Sequence, residues 1–106
     1  MNELLEAAKL GVKEAADVVG KHASPGHVTR LTKMIDDKNL LVLTPVLQAL
    51  IGRKNIPRSH KLAIIARLGE IDTLSSKAQI RLLVKDLPES DPVKKAATKA
   101  LEEEDN

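Results

Sequence analysis

The chain has 106 residues, which corresponds to one domain with room for a core that needs no metal or disulfide. It contains no Cys, Phe, Tyr or Trp, so disulfides and thiolate sites are excluded, and its Leu, Ala, Val and Ile content favours helices over strands. The net charge of +2 is too small to indicate a nucleic-acid partner by itself, and no apolar run approaches the ~18 residues of a membrane span. We therefore predict a single all-α domain over residues 1–106, located in the cytoplasm and without a membrane partner.

The first predicted helix runs from Asn2, a good N-cap, to about Val19. Its apolar residues recur at helical spacing on one face: Leu5, Ala8, Val12, Ala15, Ala16 and Val19. Gly20 is expected to end this helix. Gly11 inside it costs ~1 kcal/mol relative to Ala, so a break or a close helix crossing there is the alternative.

The second and third predicted helices are separated by a short polar stretch. Ser24 is expected to cap the second helix, with Pro25 in its first turn and an end at Asp36 or Asp37. The third helix, which Gly52 closes, contains Pro45, a residue that removes one helical hydrogen bond. Either a short helix starts at Pro45, or a longer helix begins near Asn39 and kinks. We prefer the kinked helix, because residues 40–43 would otherwise be an exposed apolar run.

Residues 62–68 read LAIIARL and form the most apolar helical segment of the chain. Six apolar residues in seven point to every side of a helix, so we predict a central helix covered all round by its neighbours. Pro57 is expected to open this helix and Gly69 to end it. A fifth helix should start at Asp72 or Thr73, or at a capping box of Ser76 with Gln79, and a sixth at Asp91 and Pro92. The fold class is thus a compact right-handed array or bundle of about six helices.

Positive charge is concentrated between residues 53 and 85, where eight Lys and Arg face two carboxylates, a local balance of +6. Residues 102–106 form an acidic end. Three cations four residues apart lie on the face of the fifth helix opposite its apolar residues, and three more precede or open the fourth helix. The predicted partner-binding residues are therefore Lys77, Arg81, Lys85, Arg53, Lys54 and Arg58. A surface of this kind suits a protein with an acidic surface, while a plain solvated face is the alternative.

An internal alignment pairs apolar residues at offsets of 51 and 52, for example Val46 with Ala97 and Leu31 with Leu83. It indicates two three-helix units, residues 2–51 and 54–101, with chance similarity between amphipathic helices as the alternative. Residues 91–101, DPVKKAATKAL, resemble the second helix of a HEAT repeat, D-P-x-V-R-x-x-A-x-x-A-L, although the valine comes one position early. The resemblance is strongest over residues 80–101. It implies a HEAT- or armadillo-like helical repeat, a class of mostly protein-binding scaffolds.

A second pattern suggests DNA binding. Residues 13–20, KEAADVVG, followed by VTRL at 28–31, look like a helix-turn-helix whose basic second helix would present His27, Arg30 and Lys33 to a major groove. The departure from this pattern is a turn about two residues too long. The sequence supports single-strand or RNA binding even less, because the chain has no aromatic ring to stack on bases.

No residue pattern indicates catalysis. The histidines have no second ligand at i+3 or i+4, and no phosphate loop or nucleophile elbow is present. We expect no enzyme activity, catalytic residue, cofactor or metal. The predicted function is a non-enzymatic helical binding or adaptor protein that acts through protein–protein interaction, with a small DNA-binding protein as the alternative and homo-oligomers left open.

Overall fold

A computed structural model describes residues 2–102 of the chain, with side chains for residues 3–101. This part holds seven helices and no strand, so the all-α class is confirmed and the count of about six is one too low. The helices are α1 (Asn2–Lys9), α2 (Lys13–His22), α3 (Pro25–Met34), α4 (Thr44–Gly52), α5 (Arg58–Ile71), α6 (Leu74–Val84) and α7 (Pro92–Glu102). The acidic end predicted for residues 102–106 lies outside the described side chains.

The predicted first helix is divided at Gly11 into α1 and α2. Gly11 has a φ of +94°, a left-handed conformation that glycine adopts without the steric penalty of a Cβ atom. The chain turns there, and α2 packs back against α1. The prediction of one continuous helix to Val19 is therefore wrong. The left-handed conformation of Gly11 interrupts the helix, although apolar residues recur at helical spacing on both sides of it.

Gly20 has a packing role in place of the predicted capping role. It lies inside α2, which continues to His22, and a methyl group built on it would lie only 2.9 Å from Cβ of Ala49 in α4. Nonbonded carbon atoms prefer about 3.5–4.0 Å, so any larger residue would push the two helices apart. The prediction that Gly20 ends a helix is wrong, since the small size of the residue lets α2 cross α4 closely.

The connection between α3 and α4 is built by a reciprocal pair of side chains. The amides of Asp36 and Asn39 donate to each other's side-chain oxygens at 2.8 and 2.9 Å, and Asn39 Nδ2 donates to the carbonyl of Met34 at 2.7 Å. α3 therefore ends two residues before Asp36, and α4 starts at Thr44 with Pro45 in its first turn. The preferred kinked helix from Asn39 is wrong, and the short helix is observed.

The apolar run at residues 40–43 is neither fully exposed nor fully buried. Leu40 and Leu43 are buried in the core, whereas Leu41 is 59% and Val42 42% exposed. The argument that favoured a kinked helix therefore failed, because consecutive turns bury the first and last members of the run and leave the middle two exposed.

α5 is central, as predicted, and packs against α3, α4, α6 and α7. Its burial is one-sided, however: Ile64, Ile65 and Leu68 face the core, while Ala63 and Ala66 are exposed. The prediction of cover all round is wrong, because an alanine in a helix fits a solvent-facing position as well as a buried one. The helix also continues past Gly69 to Ile71.

Three other helix boundaries agree with the sequence patterns. Ser24 caps α3, with Pro25 in the first turn, as predicted. Thr73, one of the predicted starts, caps α6 through a reciprocal pair with Ser76. Asp91 Oδ1 accepts a hydrogen bond from the backbone amide of Val93 at 2.8 Å, and α7 begins at this cap.

Alternate helices stack into two layers. α1 packs against α3, α3 against α5 and α5 against α7, while α2 packs against α4 and α4 against α6. The molecule measures 40 × 28 × 20 Å, and its shortest dimension is about two helix diameters. The core between the layers includes Leu5, Val19, Leu31, Leu43, Leu47, Leu50, Ile64, Leu68, Ile80 and Val93.

Stacked neighbours run parallel, and side-chain hydrogen bonds join them at sequence separations of 30 to 35 residues. Arg53 at the end of α4 binds the carbonyl of Ala23 at the end of α2, 30 residues earlier, and Arg67 in α5 binds that of Ile35, 32 residues earlier. Thr44 Oγ1 in α4 donates to Oε1 of Gln79 in α6, 35 residues later. The duplication predicted at offsets of 51 and 52 concerns sequence similarity between halves, and it stays a prediction.

Candidate interaction surface

The predicted cationic stripe on α6 is partly exposed. Lys77 is half-buried, and its Nζ lies 4.0 Å from Oδ1 of Asp72 in the turn before α6. Arg81 and Lys85 are exposed and make no hydrogen bond or ion pair within the described part of the chain. Leu74, which is 84% exposed, begins the same face. The stripe thus offers two accessible cations, with an apolar side chain at its start.

The loop cations before α5 are divided between two roles. Arg53 Nη1 donates to the carbonyls of Ala23 at 2.9 Å and Gly20 at 3.4 Å, so its guanidinium satisfies groups at the C-terminal end of α2. Lys54 and Arg58 instead line a cleft of about 220 Å³ between the starts of α5 and α7. The cleft also contains Lys61 and Asp91. Arg53 is therefore occupied by a structural contact, whereas its two predicted companions lie together.

The residues predicted to face DNA lie on α3. The imidazole of His27 is 2.8 Å from Ser24 Oγ, where it belongs to the capping pair that begins the helix. Arg30 and Lys33 are exposed. α3 has α1 on one side and α5 on the other, whereas a recognition helix must project from its neighbours to enter a major groove about 12 Å wide.

Three of the four helices of one layer, α3, α5 and α7, form the most cationic surface element of the described structure, and we refer to these three as the basic layer. The fourth helix, α1, carries Lys9 against Glu3 and Glu6. The three helices of the basic layer carry eight Lys and Arg against two carboxylates, whereas α2, α4 and α6 together carry four against two. The cations of the basic layer are Arg30, Lys33, Arg58, Lys61, Arg67, Lys94, Lys95 and Lys99.

Two cations of the basic layer are committed to structural contacts. Arg67 donates to the carbonyl of Ile35 at 3.0 Å and pairs with Glu70 at 3.3 Å, and Lys94 binds the carbonyl of Leu87 and the carboxylate of Glu89. Lys33, Arg58, Lys61, Lys95 and Lys99 make no ion pair or side-chain hydrogen bond to any described residue. These five side chains can therefore respond to an external anion.

A groove runs between α3 and α5 on the basic layer. Two adjoining cavities, of about 150 and 390 Å³, share Thr32, Lys33 and Ala63 in their walls. The smaller one extends towards His60 and the larger one towards Ala66 and Arg67. The groove is about 15 Å long, because it follows roughly ten residues of α5. We refer to it as the α3–α5 groove.

An exposed apolar cluster lies where the turn between α1 and α2 meets the segment before α4. Leu10 and Val12 flank Gly11 in the turn between α1 and α2, and a methyl group on Gly11 would lie 3.6 Å from Val42. These side chains and Leu41 are exposed. The cluster is formed by two turns and not by a helix face.

The described residues contain no group of three or more His, Asp or Glu close enough to hold a metal ion. None of the helices described between residues 2 and 102 has the length and apolar character needed to cross a membrane. Comparisons with protein-family models, curated proteins and solved structures gave no significant match to this chain.

Sequence reasoning missed the basic layer and its groove. Lys95 and Lys99 were read only as part of the HEAT-like pattern, and Ala63 and Ala66 as core. One signal was present: cations recur at the spacing of the stacked helices, in the series Arg30, Lys61, Lys94 and Lys33, Arg67, Lys99. The alignment at 51 and 52 does not sample this spacing.

Proposed function

We propose that this chain is a non-enzymatic binding protein whose basic layer holds an acidic surface of another protein. The supporting observation is the uneven charge of the two layers, since folding requires apolar residues on the inner faces and leaves the outer faces free to differ. Charge complementarity of this kind acts mainly on the association rate and on the choice of partner.

The proposal includes a helical-repeat architecture. Stacks of helix hairpins in HEAT and armadillo proteins repeat at about 40–47 residues, and the contacts here join residues 30 to 35 apart. The proposed repeat therefore shares the stacking principle of those families with shorter hairpins. Extended layers of parallel helices suit this role, because each added hairpin widens a continuous binding face.

A protein partner fits the basic layer better than duplex DNA does. α3 is flanked on both sides, and the α3–α5 groove has small neutral side chains along its floor, which favour apolar contacts over phosphate contacts. Phosphate recognition relies on Arg, Lys and polar groups at many positions along the backbone. The exposed pair Arg30 and Lys33 still favours DNA as the second candidate.

Affinity capture with three baits tests the proposal. The baits are the wild-type chain, a Lys33→Glu/Lys95→Glu/Lys99→Glu variant of the basic layer, and a Lys77→Glu/Arg81→Glu/Lys85→Glu variant of α6. Both variants change the net charge by the same amount, so only the position of the charge differs. We expect acidic proteins to be captured by the wild type and the α6 variant and lost from the basic-layer variant. Equal capture by all three baits would contradict the proposal.

A salt titration against random duplex DNA tests the second candidate. Phosphate-dominated binding weakens with a log–log slope of about −0.9 per phosphate neutralised. If DNA is the partner, the wild-type chain should show this slope and the basic-layer variant should not bind. No measurable binding at low salt excludes the DNA interpretation.

A further inference from the structure

We infer that the α3–α5 groove accepts the apolar face of an acidic amphipathic helix from the partner. This inference rests on the proposed function and adds to it the kind of segment that the partner inserts. Two observations carry it: a groove with small uncharged side chains along its floor, and unpaired cations at its edge and on the neighbouring α7.

The two threonine hydroxyls of the groove need no polar ligand. Thr32 Oγ1 donates to the carbonyl of Val28 at 2.7 Å, and Thr29 Oγ1 to that of Pro25 at 3.2 Å, so both hydroxyls are satisfied within α3. The opposite wall is formed by Ala63 and Ala66, both exposed. Small side chains along two parallel helices leave space for a third helix to pack its larger side chains between them.

The charges beside the groove determine which residues the other faces of the bound helix should carry. Lys33 lines both cavities and has no partner among the described side chains, and the one carboxylate in the wall, that of Glu70, is already paired with Arg67. Lys95 and Lys99 extend the positive surface on α7. A segment that carries apolar residues on one face and carboxylates on the others therefore complements both the groove and its surroundings.

The length of the groove also fits a helix. Its ~15 Å corresponds to about three helical turns, which place three or four apolar side chains of an i, i+3, i+4, i+7 pattern along one face. An extended strand would instead alternate its side chains to two sides and leave its backbone groups unpaired, because α3 and α5 have no free edge of hydrogen-bonding groups.

Defined peptides test the inference without knowledge of the natural partner. The probe is a fluorescent amphipathic peptide of about 18 residues with leucines at i, i+3, i+4 and i+7 and glutamates elsewhere. A second peptide has the same composition in an order that scatters the leucines over all faces. Binding is measured by fluorescence anisotropy at low and at physiological salt. We expect the amphipathic peptide to bind at least about ten-fold more tightly than the scattered one.

Matched protein variants separate the groove from the surrounding charge. Ala63→Gln/Ala66→Gln fills the groove with neutral side chains and should weaken the amphipathic peptide about ten-fold, with the salt dependence unchanged. Ala78→Gln, at an exposed position of α6, is the control and should bind as the wild type does. Thermal unfolding verifies the fold of each variant. Equal affinity of the wild-type chain for both peptides would overturn the inference, and so would wild-type affinity in the groove variant. If the wild-type chain binds neither peptide at low salt, the proposed function itself is overturned.

Discussion

The basic layer and the layer formed by α2, α4 and α6 bury similar apolar faces but differ in how closely their helices approach. In the second layer, α2 and α4 meet at Gly20, where even a methyl group would lie 2.9 Å from Ala49. In the basic layer, a methyl group on Gly69 of α5 would lie 3.9 Å from Ala100 of α7, and α3 and α5 leave a groove between them.

This difference indicates a division of roles. In the second layer, α2 and α4 cross closely at Gly20 and carry no net charge, as expected of a supporting surface, whereas α6 carries Lys77 and Arg81. The basic layer keeps grooves open and collects unpaired cations, which folding does not require and which repel one another slightly. We propose that a partner of complementary charge accounts for this surface.

The largest expected effect tests whether the two layers share one core. Ile65→Ala in α5 and Leu83→Ala in α6 each delete buried groups and leave a cavity, at a cost of ~2–5 kcal/mol of unfolding free energy. We expect both variants to unfold in a single transition by urea titration. Lys99→Ala is the surface control and should change stability by less than ~0.5 kcal/mol. A loss of that small size at Ile65 would mean that α5 is not central.

The next effect tests the difference in helix approach. Gly20→Ala forces α2 and α4 apart and should cost ~1–3 kcal/mol despite the better helix propensity of alanine. Gly69→Ala is the matched change in the basic layer, and it should stabilise by up to ~1 kcal/mol, because its new methyl group finds ordinary contact distance. Thermal unfolding measures both. The same sign for both substitutions would remove the packing contrast between the layers.

A smaller effect is expected at the turn between α1 and α2. Gly11→Ala places a Cβ atom on a residue with a φ of +94° and should cost ~1–2 kcal/mol. Gly52→Ala is the control, because Gly52 ends α4 with a negative φ and open space around it, and it should be neutral or stabilising. Stability unchanged in Gly11→Ala would show that the turn readily adopts another conformation.

The helical class and several boundaries could be predicted because they depend on local chemistry. Ser24 with Pro25 and Asp91 with Pro92 begin helices through short-range hydrogen bonds that the sequence states directly. Gly11 was placed inside a continuous helix, with a break or a close crossing as the alternative, and Gly20 at a helix end, since a turn and a close crossing both require glycine and only tertiary packing distinguishes them. Ala63 and Ala66 were read as core for a similar reason, because alanine fits buried and exposed helix positions alike.

The site was predicted only in part. Lys54 and Arg58 were grouped by sequence proximity and line one cleft, while their role in binding stays a prediction. Lys33, Lys95 and Lys99 belong to helices that stack through contacts distant in sequence, so no local pattern joins them. Arg53 could not be recognised as a structural residue, because its carbonyl partners lie 30 and 33 residues earlier.

The most direct test of the central claim compares association rates for the two triple charge reversals. Stopped-flow mixing with fluorescent poly-L-glutamate at low salt measures how strongly each surface attracts an acidic chain. We expect Lys33→Glu/Lys95→Glu/Lys99→Glu to slow association about ten-fold or more, and Lys77→Glu/Arg81→Glu/Lys85→Glu to slow it by clearly less, at equal net charge. Equal rates, or a larger loss in the α6 variant, would contradict the assignment of binding to the basic layer.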